Sequence, residues 1–315
     1  MKILVTGGCG YVGTILVQKL LKLKCKVTVL DTKWFGDFLK PHKNLKKIKY
    51  DIRNIKNYSF KNYDTIIHLA SIANDPMSEL DHSLSWDVGT LSTFNILQQA
   101  RKDKVKNFIY ASSGSVYGVK KEKFVHEKLK LEPISLYNKT KMCSERIILS
   151  FKNDMNIKII RPATVCGYSP RMRFDLSVNA LTSSAFFKKR ITVHGGSQIR
   201  PNIHIEDLSD LYIYILEKKT NGIIFNAGFE NLSIKKIAQT VQKFIDSEIV
   251  FQKNTNDPRS YRLDSSKLLS TGFKPKKKVS NAIAELHQMF LEKKIKNNPS
   301  FYSIKWLKKN ELFKK

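Results

Sequence analysis

The sequence predicts an α/β fold: a doubly wound parallel sheet with a smaller mixed α/β domain after it. Three observations predict this. A short apolar run at the N-terminus leads into four glycines within the seven residues 7–13, and a helical pattern follows. Apolar runs of strand length then alternate with helical patterns to about residue 165. Beyond Ala163 the loops lengthen and the strands shorten. A chain of 315 residues, 42% of them apolar, has the material for a substantial core.

The first strand is read at residues 2–6. Val12, Leu16 and Leu20 recur at helical spacing, with Val17 and Leu21 beside them, so a helix is expected over 12–23. Gly7, Gly10 and Gly13 therefore fill a strand-to-helix turn. Glycines there permit a tight bend, close approach of a phosphate and close packing of helix on strand. The helix end offers free N–H groups and a positive dipole to that phosphate. Gly7, Gly10, Tyr11, Val12 and Gly13 are thus the expected phosphate-side contacts of a dinucleotide. A second strand at 26–31 ends in Asp31, an acid placed to bond the adenosine ribose hydroxyls and to repel a 2′-phosphate. The expected cofactor is NAD rather than NADP.

Further strands are expected at 47–50, 64–69, 106–112 and 157–162, with helices at 90–103 and 136–152. Ligands of such sheets sit at the carboxyl ends of strands. That directs attention to Asp51, to His68–Ser71 and to the serines after Tyr110. In the second half, a helix at 178–190, a short strand at 191–195 and helices near 232–246 and 279–293 are read as a mixed domain. The expected division is residues 1–165 for the dinucleotide, with later segments crossing back, and 166–315 for the substrate and a basic tail.

The net charge of +29 raises the question of nucleic acid. Lysines are spread along the whole chain, and no aromatic and basic residues interleave as a stacking platform, so nucleic acid is disfavoured. The densest basic stretch, residues 271–315 with KPKKK at 274–278, is read as a solvated face and tail. A positive field also attracts an anionic substrate such as a nucleotide diphosphate. Cys9, Cys25, Cys143 and Cys166 are scattered without a CxxC pair, which fits reduced thiols in a cytoplasm and neither a disulfide frame nor a metal site. No run of 18 apolar residues marks a membrane span, and glycines interrupt the apolar N-terminus, so no signal peptide is expected.

Residues 112–118 read SSGSVYG just past the fifth strand, and 137–141 read YNKTK within a helical pattern. Tyr137 and Lys141 are four apart and share a helix face. The spacing alone carries little, because Tyr117/Lys121 and Tyr214/Lys218 repeat it. Order selects Tyr137, which follows Ser113 after a strand that ends in serines.

With TGGCGYVG at 6–13, Asp31, Asp51-Ile52, HLA at 68–70, SSGSVYG, YNKTK, RPATV at 161–165 and RPNIHIED at 200–207, the chain resembles the extended short-chain dehydrogenases/reductases. Within them it is similar to the NAD-dependent sugar-nucleotide epimerase/dehydratase family, over two-thirds of its length. The resemblance implies a Rossmann-type domain that holds NAD and a C-terminal domain that holds a nucleotide sugar. It implies Asp51 and Ile52 at the adenine, Leu69, Ala70 and Ser71 along the cofactor, and Pro162 near the nicotinamide. Ser113, Tyr137 and Lys141 take the catalytic roles. Tyr137 is the base for a sugar hydroxyl, Lys141 lowers its pKa and anchors the ribose, and Ser113 orients the hydroxyl. On the substrate side the resemblance implies Ser113 and Ser115, Asn179 through the start of its helix, Arg200 at the phosphates, and Arg259 or Arg262 as a second charge. It reads His204 and Asp207 as structural. It also implies a homodimer through the helices near 90–103 and 136–152. The family's usual setting is cell-surface polysaccharide synthesis.

Three departures stand out. Gly89 replaces an asparagine that many relatives use to arrange the active-site backbone, Cys166 replaces a commoner tyrosine, and the usual second phosphate arginine falls near Asn254. Ser113-Gly114-Ser115 also stands where 4,6-dehydratases carry Thr-Asp-Glu. Elimination needs an acid for the leaving hydroxyl and a base for the C5 proton, and this triplet supplies neither. The reading is therefore oxidation and reduction at C4 of a nucleotide sugar, foremost as a 4-epimerase. A net C4 dehydrogenase or keto-sugar reductase needs the same triad and stays open, as does, more remotely, a catalytically idle NAD-binding or RNA-associated module.

Overall fold

A computed structural model describes residues 1–218, 220, 222–253 and 260–311. The strands are β1 (Lys2–Thr6), β2 (Lys26–Asp31), β3 (Leu45–Lys49), β4 (Thr65–His68), β5 (Asn107–Ala111), β6 (Asn156–Pro162), β7 (Thr164–Cys166), β8 (Arg190–His194), β9 (Ile199–His204), β10 (Ile224–Ala227), β11 (Glu230–Ser233) and β12 (Glu248–Gln252). The helices are α1 (Tyr11–Lys22), α2 (Asp75–Ser78), α3 (His82–Trp86), α4 (Ser92–Lys102), α5 (Leu136–Ser150), α6 (Ser177–Lys188), α7 (Ile205–Glu217), α8 (Ile234–Gln242), α9 (Ser266–Leu269), α10 (Val279–Leu291) and α11 (Ser303–Lys309). Among the described residues no helix is long and apolar enough to cross a membrane.

The main sheet is parallel throughout, in the order β10-β6-β5-β4-β1-β2-β3. The strand order reverses at β1, which opens a crevice at the carboxyl ends of β1 and β4. Both faces of the sheet are covered, which is why its strands read as nearly unbroken apolar runs. Along β1 the side chains alternate. Ile3 and Val5 pack with Leu16, Val17 and Leu20 of α1 and with Leu208 and Leu211 of α7. Leu4 packs with Ile96 and Leu97 of α4 and Ile148 of α5 on the other face.

The C-terminal half builds a three-stranded sheet, β11-β9-β7, and the parallel pair β12-β8. Later elements return to the first half: β10 extends the main sheet beside β6, and α7 covers α1, where Lys19 pairs with Glu206 and Asp210. Lys276 and Lys277, from the basic KPKKK stretch, donate backbone N–H bonds of 2.9 Å each to the buried carboxylate of Asp207. The most lysine-rich segment is thereby pinned to the body of the protein through its backbone.

Candidate active site

A cavity of about 1310 Å³ runs along the crevice and into the second half. Its first wall is the glycine turn. Gly7 has φ +73°, and a Cβ there would fall 2.6 Å from the backbone nitrogen of Ala70. A Cβ on Gly13 would fall 2.5 Å from the Gly7 carbonyl oxygen. Only glycine lets β1, β4 and α1 approach this closely. Gly10 caps α1 without any side-chain bond to the first turn, so Tyr11, Val12 and Gly13 begin a twelve-residue helix whose N–H end is left to a ligand.

Asp31 stands beside this turn. One carboxylate oxygen accepts from the Cys9 amide at 2.9 Å and the other from the Lys33 amide at 2.7 Å. Burial in the cleft raises its pKa, while the two amides pull it back. Asp51 caps the 3-10 turn Ile52–Asn57 through the Arg53 amide, and the Arg53 guanidinium binds it at 2.6 Å and 2.9 Å. Desolvation resists ionisation of Asp51, but these bonds hold its pKa below the usual carboxylate range. Both acids line the cavity, as do Ile52, Leu69, Ala70 and Ser71. Uncapped helix end, glycine cradle and acid after β2 fit a dinucleotide along this wall.

At the other end, Ser113, Ser115, Tyr137 and Pro162 line the same cavity. Ser113 follows β5, and its Oγ lies 2.7 Å from Ser115 Oγ. Ser115 Oγ in turn donates to Asn138 Oδ1, so the two serines are tied to the residue after Tyr137. Ser135 caps α5 by accepting from the Asn138 amide at 3.3 Å, and the Tyr137 amide donates to Ser78 Oγ at 3.1 Å. Helix start and serine loop are thus fixed on each other. Lys141 lies behind this surface rather than on it. It is 3% exposed, donates from Nζ to the Ala111 carbonyl at 2.7 Å, and sits over the rings of Tyr110 at 4.7 Å and Tyr137 at 5.9 Å. Burial pushes its pKa down to about 7, with Glu145 opposing.

Of the residues expected at the substrate phosphates, Arg200 lines the cavity, joined by Gln252 and Lys253. Asn179 is wholly buried. Its Oδ1 accepts from the Gly167 amide, and its Nδ2 donates to Tyr11 Oη and the Arg173 carbonyl. What it can offer a phosphate is its place at the start of α6, where Leu176 and Ser177 reach the cavity. Arg259 and Asn254 lie outside the described residues. His204 caps α7 by accepting from the Glu206 amide at 3.2 Å, as suits a structural residue.

The cavity has further walls that the sequence reading passed over. Arg171 and Arg173, in SPRMRFD after β7, both line it. Arg173 is clasped by Asp175 through bonds of 3.0 Å and 2.9 Å. Trp34 and Phe35 close the side next to Asp31, and Ser303 and Ile304 of α11 cross over from the C-terminus. Trp306 Nε1 donates to the Trp34 carbonyl at 2.7 Å, which seats α11. Two arginines and an acid within five residues, just before Asn179, were the available signal for SPRMRFD. No sequence signal joined α11 to Trp34, 272 residues away.

A family model described as the NAD dependent epimerase/dehydratase family matches residues 3–228. A UDP-glucose 4-epimerase of Lactobacillus helveticus is 29% identical over 90% of this chain and 95% of its own. A UDP-glucuronic acid decarboxylase 6 of Arabidopsis thaliana is 27% identical over 92% of this chain and 89% of its own. Among solved structures, the UDP-glucuronic acid 4-epimerase from Bacillus cereus, in complex with UDP-glucuronic acid and NAD, superposes with a TM-score of 0.81 at 28% identity. That match covers 93% of this chain and 99% of the other.

Proposed function

Because the chain belongs to the NAD-dependent epimerase/dehydratase family and is an NAD-dependent enzyme, we propose that it inverts C4 of a nucleotide-diphosphate sugar through a 4-keto intermediate. The observation that carries this reading is the loop after β5. Where an eliminating enzyme needs an acid and a base, this chain has Gly114 and Ser115. A Cβ on Gly114 would already lie 3.2 Å from the Pro162 carbonyl oxygen, and Ser115 is committed to Ser113 and Asn138. Tyr137 is left as the group that moves a proton. Relatives that are 4-epimerases of UDP sugars support the same reading and favour a UDP sugar as substrate.

NAD, when bound, supplies a hydride acceptor and donor at the reacting carbon. Gly7–Gly13, Asp31, Asp51, Ile52, Leu69–Ser71 and Pro162 would hold it. Tyr137 takes the proton of the C4 hydroxyl and later returns one to the oxygen. A free phenol, with a pKa of about 10, is a poor base at neutral pH. A nearby ammonium favours the phenolate, and the buried Lys141, behind the Tyr137 ring, is the residue placed to supply it. Ser113 orients the hydroxyl, and its own orientation is fixed through Ser115 and Asn138. Arg200 and the start of α6 receive the substrate diphosphate.

The protein is also proposed to be a homodimer through α4 and α5. Trp86, Leu91 and Phe94 are exposed at the start of that face, as an interface core requires. Its four free cysteines fit a reducing compartment such as the cytoplasm. The test of function is to identify any nucleotide carried by the purified protein, then to incubate it with UDP, GDP and dTDP sugars without added cofactor. The expected result is interconversion of C4 epimers, read by NMR, with no net change in NADH absorbance. Turnover only with added NAD, and accumulation of NADH, would move the assignment to a net dehydrogenase.

A further inference from the structure

We propose that Arg171 is a ligand of the cofactor's pyrophosphate, reaching it from the C-terminal half of the chain. The proposal rests on NAD binding and not on the C4 chemistry.

Arg171 is 3% exposed, yet it lines the cavity. Among the described residues no carboxylate lies within ion-pairing distance of it, whereas its neighbour Arg173 is clasped by Asp175. Its Nη1 donates to the Met172 carbonyl at 2.8 Å and its Nη2 to Ser303 Oγ at 3.1 Å. Its Nε is buried and has no partner. A guanidinium carries five N–H donors and cannot lose its charge as lysine can. A buried cation with neutral partners and an orphaned donor is costly unless an anion completes it. Burial and the neighbouring Arg173 push its pKa down to about 9 against the attraction of the Asp175 and Asp31 carboxylates, the direction an incoming anion would reverse.

The surroundings select the anion. The guanidinium carbon lies 4.1 Å from the centroid of the Phe35 ring, in the segment that follows Asp31. Stacking fixes the plane of the fork and leaves its edge for hydrogen bonds. Phe35, Asp31 and the uncapped start of α1 line the same cavity, so Arg171 belongs to the dinucleotide wall. The anion of a dinucleotide is its pyrophosphate, for which a planar fork is the suited partner. Through Ser303 the same guanidinium holds the start of α11, so cofactor and C-terminal segment share one anchor.

The test is calorimetric binding of ADP, ADP-ribose, adenosine and UDP to the full chain and to R171M, each freed of carried nucleotide. The expected result is a loss of about tenfold or more for ADP and ADP-ribose, with adenosine and UDP changed less than about twofold. Less NAD should also survive purification of the variant. Equal affinities for ADP, or an equal loss for adenosine, would overturn the proposal and make Arg171 a mere tie to α11. A loss confined to UDP would overturn it in favour of the substrate's diphosphate. Should R171M not fold, R171K carries the test. It keeps the charge but not the fork and is expected to show a smaller loss in the same order, while an undiminished ADP affinity in R171K overturns the proposal.

Discussion

Thr140 occupies the space that a side chain at Gly89 would need: a Cβ on Gly89 would fall 2.9 Å from Thr140 Cβ and 3.0 Å from its Oγ1. Gly89 sits in a single π-helical turn, Asp87–Leu91, ahead of α4. Its carbonyl accepts from Ser144 Oγ at 2.6 Å and from Thr93 Oγ1 at 2.8 Å. Backbone contact with Thr140 of α5 thus fills the place that a side chain at this position would take. Replacing Gly89 by alanine should gain about 1 kcal/mol of helix propensity and lose about 1–3 kcal/mol to overpacking. G89A is expected to be less stable in urea denaturation, and G89N less stable still.

Lys141 gives the cofactor-free protein a pH dependence. Its folded pKa of about 7 lies below its ordinary 10.5. Between those values the unfolded chain binds the extra proton, so stability rises with pH. The contribution is fully present above about 10.5 and is lost as pH falls to about 7, a difference on the order of 4 kcal/mol. K141M removes it. The stability of K141M relative to the parent is expected to be greatest at pH 7 and to shrink steadily toward pH 10, read by denaturation at a series of pH values. A constant difference across that range would show that the ammonium is not desolvated.

His68 acts in the adjoining acid window. Its Nδ1 lies 2.6 Å from Thr6 Oγ1 and its Nε2 3.0 Å from Thr93 Oγ1. Thr93 gives its own proton to Gly89, so Nε2 donates and Nδ1 accepts, which describes a neutral ring. Burial lowers the pKa from 6.5 to about 3. The folded state therefore binds fewer protons, and stability is lost as pH falls from about 6.5 toward 3. H68Q is expected to flatten this acid limb while lowering stability at pH 7, with both effects visible in thermal melts.

The N-terminal half was legible because its signals are local. Strand, glycine turn, helix and Asp31 follow one another within the first 31 residues, and β1, α1 and β2 lie within a residue of their expected bounds. Serine loop and tyrosine helix were legible as motifs, and the structure brings Ser113 and Tyr137 to one cavity. What stayed hidden depends on contacts between distant segments. Trp306 reaches Trp34, and Ser303 reaches Arg171, across 272 and 132 residues. No periodicity encodes such pairs. Lys141 was legible as a partner of Tyr137, but not its depth, because helical spacing fixes a face and not what covers it.

Below the site, Arg161 of β6 and Glu145 of α5 form a buried pair, with bonds of 2.9 Å and 2.6 Å. Arg161 also donates to Tyr117 Oη at 2.6 Å, and Tyr117 donates to Asn226 at 2.7 Å. The chain of bonds joins α5 to the edge strand β10. Removing one partner of a buried pair leaves a charge without compensation and costs about 3–5 kcal/mol. E145A and R161M are each expected to lose that much in denaturant unfolding, and the double variant less than the sum. Additive losses would mean that the two side chains act independently.

The same framework separates the roles of the groups at the reacting end. In the proposed mechanism Tyr137 carries the proton, whereas Ser115 and Asn138 fix the Ser113 hydroxyl. Loss of a general base typically costs about 10²–10⁴ in rate, while loss of an orienting bond costs less. Y137F keeps the ring and the cavity wall. It is expected to retain carried NAD and nucleotide-sugar affinity while kcat falls by about 10²–10⁴. S115A leaves Ser113 in place, its Oγ still held by the Ser115 amide at 3.2 Å, but removes the Oγ partner of its hydroxyl, so kcat should fall by about tenfold and the pH profile set by Tyr137 should not move. N138A is expected to match S115A, because it cuts the same chain one bond further out. The measurements are kcat, KM and the pH profile of C4 inversion for the three variants. A drop in S115A as large as in Y137F, or a shifted pH profile, would show that Ser115 takes part in proton transfer and does not merely hold Ser113.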